Sequence, residues 1–400
     1  MSRFLALFKQ NSNEQDMLHV INLIGVNGGQ IMQSWGGSAI IGEASPELQS
    51  ELVNVPGLTL FNNVQQPDIR FLDINETATD LAGGWLLAQA PDFQNAWNNF
   101  WNGNSAGDNA FPVDNCGGGV DPAAGQGLVP FSINGLLGFA GNQLIAAPLI
   151  NRNRRSLAGT IGVTVLRVDG PAGSSAVFSP QEWMHALLSL SKGIEILQTL
   201  SPSQAHLVFD VDIRKATINL DPNLIPFPAD PTKPTATEYE QIESMWRNPA
   251  LAQFGAAQSL DGYGDLVRSS KFHFNIDWGF VFVLTKYRAA FPGYAPHFQN
   301  VVISYIMEPD LSILPVIFAH EIGHTSGALD EYGPSCSPFH LCGFTKTPNL
   351  NCEIANPLSV DCLMKNMKPV VCLSTRNHFG WGDQDNDGVL DPFDPDFITI

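Results

Sequence analysis

The residues best suited to chemistry lie between Phe318 and Tyr332, in the stretch FAHEIGHTSGALDEY. His320 and His324 are four positions apart, just over one helical turn, so on a helix both imidazoles project from the same face. Two such nitrogens can hold one Zn²⁺ and leave positions for a third protein ligand and a water. Glu321, next to the first histidine, is then placed to take a proton from that water instead of binding the metal. The spacing H-E-x-x-H therefore points to metal-assisted hydrolysis.

Gly327 and Asp330 follow at intervals of three, extending the pattern to H-E-x-x-H-x-x-G-x-x-D. A helix running straight on would carry Asp330 away from the metal. A glycine can take positive φ, end the helix sharply and swing a third side chain back. Glu331 and His340 are the rivals for that third position. The extended motif resembles that of the metzincin metallopeptidases, H-E-x-x-H-x-x-G-x-x-H/D, in the rarer aspartate form of snapalysin. The ending Asp330-Glu331-Tyr332 is also similar to that of IgA-peptidase-like bacterial metallopeptidases, which space it one residue further on.

The resemblance covers roughly Leu157 to Trp381, with matching motifs only from His320 onward. It implies a zinc endopeptidase acting on a protein or peptide: His320, His324 and Asp330 hold Zn²⁺ and Glu321 is the general base. It also implies a methionine turn beneath the ligands. Met364, in Asp361-Cys362-Leu363-Met364, suits that turn, with Met367 a nearby competitor. Tyr332 is an auxiliary hydrogen-bond donor near the metal or a packing residue. The strand before the zinc helix, around Asn300 to Tyr305, would form the upper rim of the cleft, with His273 and His297 near it.

A second constellation closes the chain. From Asp383 to Asp394 acidic residues stand at loop positions 1, 3, 5, 9 and 12, with glycine at 6. Asp383, Asp385, Asp387, Asp391 and Asp394, with the carbonyl of Val389, form an EF-hand-type set of hard oxygen ligands for Ca²⁺. Aspartate at the last position and the lack of an apolar helix after it make this more like a dockerin or thrombospondin type-3 loop. Its expected role is structural.

These residues sit in 400, enough for about two or three domains. A hydrophobic share of 44% with 36 glycines fits a globular, loop-rich chain and excludes a disordered one. Thirty-nine acidic against 20 basic residues give a formal charge of −19, which argues against nucleic acid or an anionic membrane as partner. No apolar run is long enough to span a bilayer. The apolar run Phe4 to Phe8 is too short for a signal-peptide core. Five of the six cysteines follow the histidine motif (Cys336, Cys342, Cys352, Cys362 and Cys372), while Cys116 stands apart. Such clustering suggests disulfides, hence a secreted or extracellular protein.

The elements that must position the site read as an α+β chain. Residues 1–156 form an accessory or pro-like region, in which Leu18 to Val26 and Leu58 to Phe61 look like strands and Asp92 to Trp101 like a helix. Residues 157–381 read as a metzincin-like domain: a twisted mixed sheet, a backing helix, the active-site helix and a loop-rich, cysteine-containing C-terminal subdomain. Its strands are Ile161 to Val168, His206 to Leu220, Trp278 to Leu284 and His297 to Met307. Its helices are Trp183 to Leu200, capped by Ser179, Glu238 to Trp246, and Leu311 to Ala328. Residues 382–400 are the acidic calcium-loop tail. Two rival functions share these features: an inactive, calcium-stabilised adhesive protein on the same fold, and a zinc hydrolase of a non-peptide amide. An inactive relative has no need of Glu321.

Overall fold

The computed structural model describes residues 1–62, 66–101, 155–229, 235–289, 293–295, 301–305, 314–333, 336–356 and 358–397. The chain begins with β1 (Ser2–Phe8), α1 (Glu14–Val26), β2 (Gln30–Trp35), β3 (Ala39–Ala44), α2 (Pro46–Leu52) and β4 (Leu58–Phe61). Helices α3 (Glu76–Leu87) and α4 (Pro91–Trp101) follow, then β5 (Thr160–Asp169), α5 (Pro180–Leu200) and β6 (Val208–Thr217). Next come α6 (Ala236–Ala252), α7 (Gly262–Ser269), β7 (Trp278–Thr285), β8 (Gly293–Tyr294) and β9 (Val301–Tyr305). Helices α8 (Leu314–Thr325), α9 (Leu363–Asn366) and α10 (Leu373–His378) complete it.

All nine of these strands join one mixed sheet in the order β4-β1-β3-β2-β6-β5-β7-β9-β8. Strands β2, β6, β5, β7 and β9 run parallel to one another, while β3 is antiparallel to β2 and β8 turns back antiparallel on β9. Central strands are buried on both faces, so their side chains alternate between two apolar cores. Ile161, Val163 and Val165 of β5 enter one core, whereas Leu166 and Val168 enter the other. Phe280, Phe282 and Leu284 of β7 take the first core; Val281 and Val283 take the second. Helices α3, α5 and α8 cover the first face, and α6 and α7 the second.

The sheet and its main core run continuously through both sides of residue 156, since β1 contributes Leu5 and Leu7 to the core that holds α5 and α8. Phe4 to Phe8, the short apolar run near the start, is the C-terminal part of β1.

One expected strand is a helix. Leu18 to Val26 lies inside α1, whose N-cap Asn13 forms a capping box with Asp16 and whose Met17, Val20, Ile21 and Ile24 are buried at helical spacing. The β-branched residues gave the wrong impression; the cap decides. The expected rim strand is also corrected. Among the described residues β9 is paired on both sides, and the strand at the end of the sheet is β8. His273 is nowhere near that end: its backbone N–H donates to Asp210 on β6, and its ring faces Gly37 between β2 and β3. His297 and Cys116 lie outside the described residues.

Candidate metal centre

Helix α8 carries the histidines and is buried along almost its whole length. Phe318 stacks edge-on against Phe282 of β7 with ring centroids 4.8 Å apart. Gly193 of α5 lets the helices approach so closely that a Cβ there would lie 2.8 Å from the Pro315 carbonyl and 3.0 Å from Phe318 Cβ. The helix is therefore fixed against sheet and backing helix before any metal binds.

The helix ends at Thr325, and Gly327 has φ +89°, donating its N–H to the His324 carbonyl at 2.8 Å. A Cβ at Gly327 would stand 3.2 Å from Gly343 Cα. Gly327→Ala should thus combine the left-handed penalty with a close contact and destabilise the fold by about 1–2 kcal/mol. Denaturant unfolding of the variant checks this; unchanged stability would show that the turn can relax.

Beyond the turn Asp330 comes back over the helix. Its Oδ1 lies 3.0 Å from His320 Nε2 and 3.3 Å from His324 Nε2, and the two Nε2 atoms are 3.1 Å apart. Ligands around a tetrahedral ion with bonds of about 2.0–2.1 Å stand roughly 3.3–3.4 Å apart, so this triangle has the size of one face of such a shell. The rings meet at 90°, which aims the two nitrogens at one point instead of stacking them. His320 Nδ1 is 3.0 Å from the Leu363 carbonyl and His324 Nδ1 is 2.7 Å from the Ala328 carbonyl. Carbonyls only accept, so both Nδ1 atoms carry a proton, and both Nε2 atoms face Asp330 Oδ1 at the centre of the site. The donor set fits a divalent cation.

Electrostatics agree with that fit. Burial opposes charge on His324, but the Asp330 carboxylate outweighs it and lifts the imidazole to about 9. Burial likewise works against the Asp330 charge, yet His324 and hydrogen bonds from both histidines hold its carboxyl well below the usual carboxylate range. Glu321 is also buried, and this desolvation raises its pKa against the opposing pull of His324 and His320. The Ala295 backbone N–H, just after β8, holds its carboxylate.

In comparisons with known proteins, no family model matches this chain. No curated protein matches it either.

Against the histidine helix lies Met364 in α9, fully buried, with its Sδ 2.9 Å from where a Cβ on Gly323 would sit. Phe379 fills the other side of Gly323. The glycine in the middle of His320-Glu321-Ile322-Gly323-His324 therefore leaves room for the methionine floor, a role that sequence spacing alone does not reveal. The same turn is stitched to the ligands: Leu363 accepts from His320, and the Met364 carbonyl accepts the Glu331 N–H at 2.9 Å. Met367, the competitor, is in the left-handed region at the end of α9.

The rivals for the third ligand stand elsewhere. His340 is exposed. Glu331 points away from the histidines into a buried polar cluster, accepting from Cys372 Sγ at 2.9 Å, Thr375 Oγ1 at 2.6 Å and Asn351 Nδ2 at 2.7 Å. With Cys362 and Cys372 it forms a second compact group of candidate ligands. Its hydrogen bonds join the segment after Asp330 to α9 and α10, which gives the acid following Asp330 a structural role. Tyr332 is half-buried, its ring 6.2 Å from that of His320.

Cys336 and Cys352 form a disulfide, closing the loop that follows the site. Cys342, Cys362 and Cys372 are buried thiols. In the C-terminal loop Asp383, Asp385 and Asp387 bring oxygens together, while Asp391 and Asp394 are buried behind them. No helix among the described residues is long and apolar enough to cross a membrane.

Proposed function

We propose that this chain is a zinc-dependent endopeptidase of metzincin type, with aspartate as third ligand. The observation that carries the reading is the triangle of His320 Nε2, His324 Nε2 and Asp330 Oδ1 with Glu321 buried beside it. His320, His324 and Asp330 would hold Zn²⁺. When bound, zinc supplies Lewis acidity towards a peptide carbonyl and makes water acidic enough to lose a proton near neutral pH.

Everything else falls to the chain's own side chains. Glu321 does not belong to the ligand triangle, and its desolvated carboxylate is a better base than an exposed one. It accepts the proton of the attacking water and returns it to the leaving amine nitrogen. Ala295 N–H keeps that carboxylate from swinging into the ligand set. The outer edge of β8, unpaired among the described residues and directly before Ala295, would offer backbone groups to an extended peptide laid antiparallel along it. Met364 gives the ligands an apolar floor that excludes water from below. The Cys336–Cys352 bridge favours an oxidising, extracellular location.

The test is digestion of casein by the zinc-loaded chain. About one zinc per chain, cleavage abolished by 1,10-phenanthroline and restored by added zinc, is the expected result. Bound zinc with no cleavage of casein or of other unfolded proteins would overturn the peptidase reading and leave a zinc-binding protein. Cleavage indifferent to the chelator would remove the metal from the reaction.

A further inference from the structure

Glu331 is fully buried, yet the side chains that hold its carboxylate are all neutral. Cys372 Sγ donates to Oε1 at 2.9 Å and Thr375 Oγ1 donates to the same oxygen at 2.6 Å, while Asn351 Nδ2 donates to Oε2 at 2.7 Å. None of the three carries a positive charge, and neutral donors alone compensate a buried carboxylate poorly. One of them is a thiol, a weak donor. A divalent cation would balance the charge, and two of the chain's sulfurs are placed to bring one in.

Cys362 Sγ, Cys372 Sγ and an oxygen of Glu331 lie within 4.8 Å of one another, and all three residues are buried. Donors around a tetrahedral ion with bonds of about 2.3 Å to sulfur and 2.1 Å to oxygen stand roughly 3.6–3.8 Å apart, so small side-chain rotations close this group on one ion. Each sulfur already accepts a backbone N–H at 3.4 Å, Cys362 from Cys372 and Cys372 from Thr375. Such donors favour the charged thiolate over the thiol. Thr375 Oγ1 joins the two sides, accepting from Cys362 Sγ at 3.3 Å while it donates to Glu331. Cys336 and Cys352 have closed a disulfide, whereas Cys362 and Cys372 keep their sulfurs apart beside a carboxylate. That is the arrangement of ligands.

We propose that Glu331, Cys362 and Cys372 bind a structural Zn²⁺ of their own, with the Thr375 hydroxyl at the fourth position. Two thiolates select a soft or borderline ion over Ca²⁺ or Mg²⁺. Binding sends both thiol protons to solvent and leaves three anionic ligands around a divalent cation. Because those protons must leave first, this group takes the second equivalent of zinc and the histidine site the first. Its place in the fold gives the ion a role. Cys362 directly precedes Leu363, whose carbonyl meets His320 Nδ1, and the Glu331 N–H bonds the Met364 carbonyl. Cys372 caps α10. The ion would therefore clamp α9 and α10 to the segment that carries Asp330. The inference does not depend on the peptidase reading, because sulfur ligation reads out whether or not the chain cleaves anything.

The experiment titrates Co²⁺, as a coloured stand-in for zinc, into the metal-depleted full chain under a non-chelating reductant. A strong thiolate-to-cobalt charge-transfer absorption should rise with the second equivalent, to a total of about two ions per chain. The histidine triangle has no sulfur that could give it. Cys362→Ser and Cys372→Ser should each lose the absorption and fall to about one ion per chain. Cys342→Ser, at the buried thiol beside His378, should keep both. X-ray absorption at the zinc edge of the fully loaded wild type needs no variant and should find sulfur at about 2.3 Å. Nitrogen and oxygen neighbours alone would overturn the proposal. So would a Cys362–Cys372 disulfide in the chain purified without reductant, or an absorption that survives in both serine variants.

Discussion

Glu321→Gln should retain its full complement of zinc and lose proteolysis by about 10²–10⁴-fold, the range that a positioned general base contributes. Glutamine keeps the volume of glutamate, and its carbonyl can still accept the Ala295 N–H. What it cannot do is take a proton. Because Glu321 lies outside the ligand triangle, zinc content should stay at the wild-type level. Stability supplies a second readout. Burial raises the pKa of Glu321, which means that ionising it inside the fold costs energy. Replacing it with a neutral isostere should leave Tm unchanged or raise it slightly, the reverse of what losing a structural residue would do. Measured together, zinc content, Tm and the rate of casein cleavage separate a catalytic role from a structural one. A variant with cleavage within a few-fold of wild type would mean that another group accepts the proton.

How much of this was legible in the sequence depends on how local each cause is. The spacing of His320 and His324, the turn at Gly327 and the acid three residues on are consequences of a single helix and its end, and the structure brings them together within 3.3 Å. The strands β5 and β7 announce themselves by β-branched and aromatic runs, and α5 by its Ser179 cap and Pro180. Leu18 to Val26 misled because valine and isoleucine favour strands in isolation, while the capping box at Asn13, which fixes a helix, lies upstream of the run. The polar neighbours of the site were illegible for a different reason. Asn351, Cys372 and Thr375 meet Glu331 from 20, 41 and 44 residues away. Gly323 looks like an interchangeable position until Met364 and Phe379 are seen against it. The strand at the sheet end was misassigned because β8 is only two residues long, too short to leave a periodic signal.

Removing the third ligand should have the largest effect on the metal. Asp330→Ala leaves two imidazoles on one helix turn with no anion, and zinc affinity should fall by more than about 100-fold, beyond what loss of an outer hydrogen bond costs. Asp330→Asn keeps the volume and one oxygen but not the charge, so it should fall between alanine and wild type. The charge has a further consequence in the metal-free protein. Asp330 does most to lift His324 to about 9; without it burial is opposed only by Glu321 and the Ala328 carbonyl, so the pKa should drop. In metal-free Asp330→Ala the His324 proton resonances should therefore titrate at lower pH than those of the wild type. His340→Ala is the control: an exposed residue outside the triangle, whose loss should change neither zinc content nor cleavage. If zinc were lost from His340→Ala and kept by Asp330→Ala, the loop would have to refold on binding to carry His340 inward, and the triangle would be the resting form of a different site. Retention of zinc by both would leave the two histidines as sufficient anchors. The Asp330 carboxylate would then serve to hold the proton that a departing metal leaves behind.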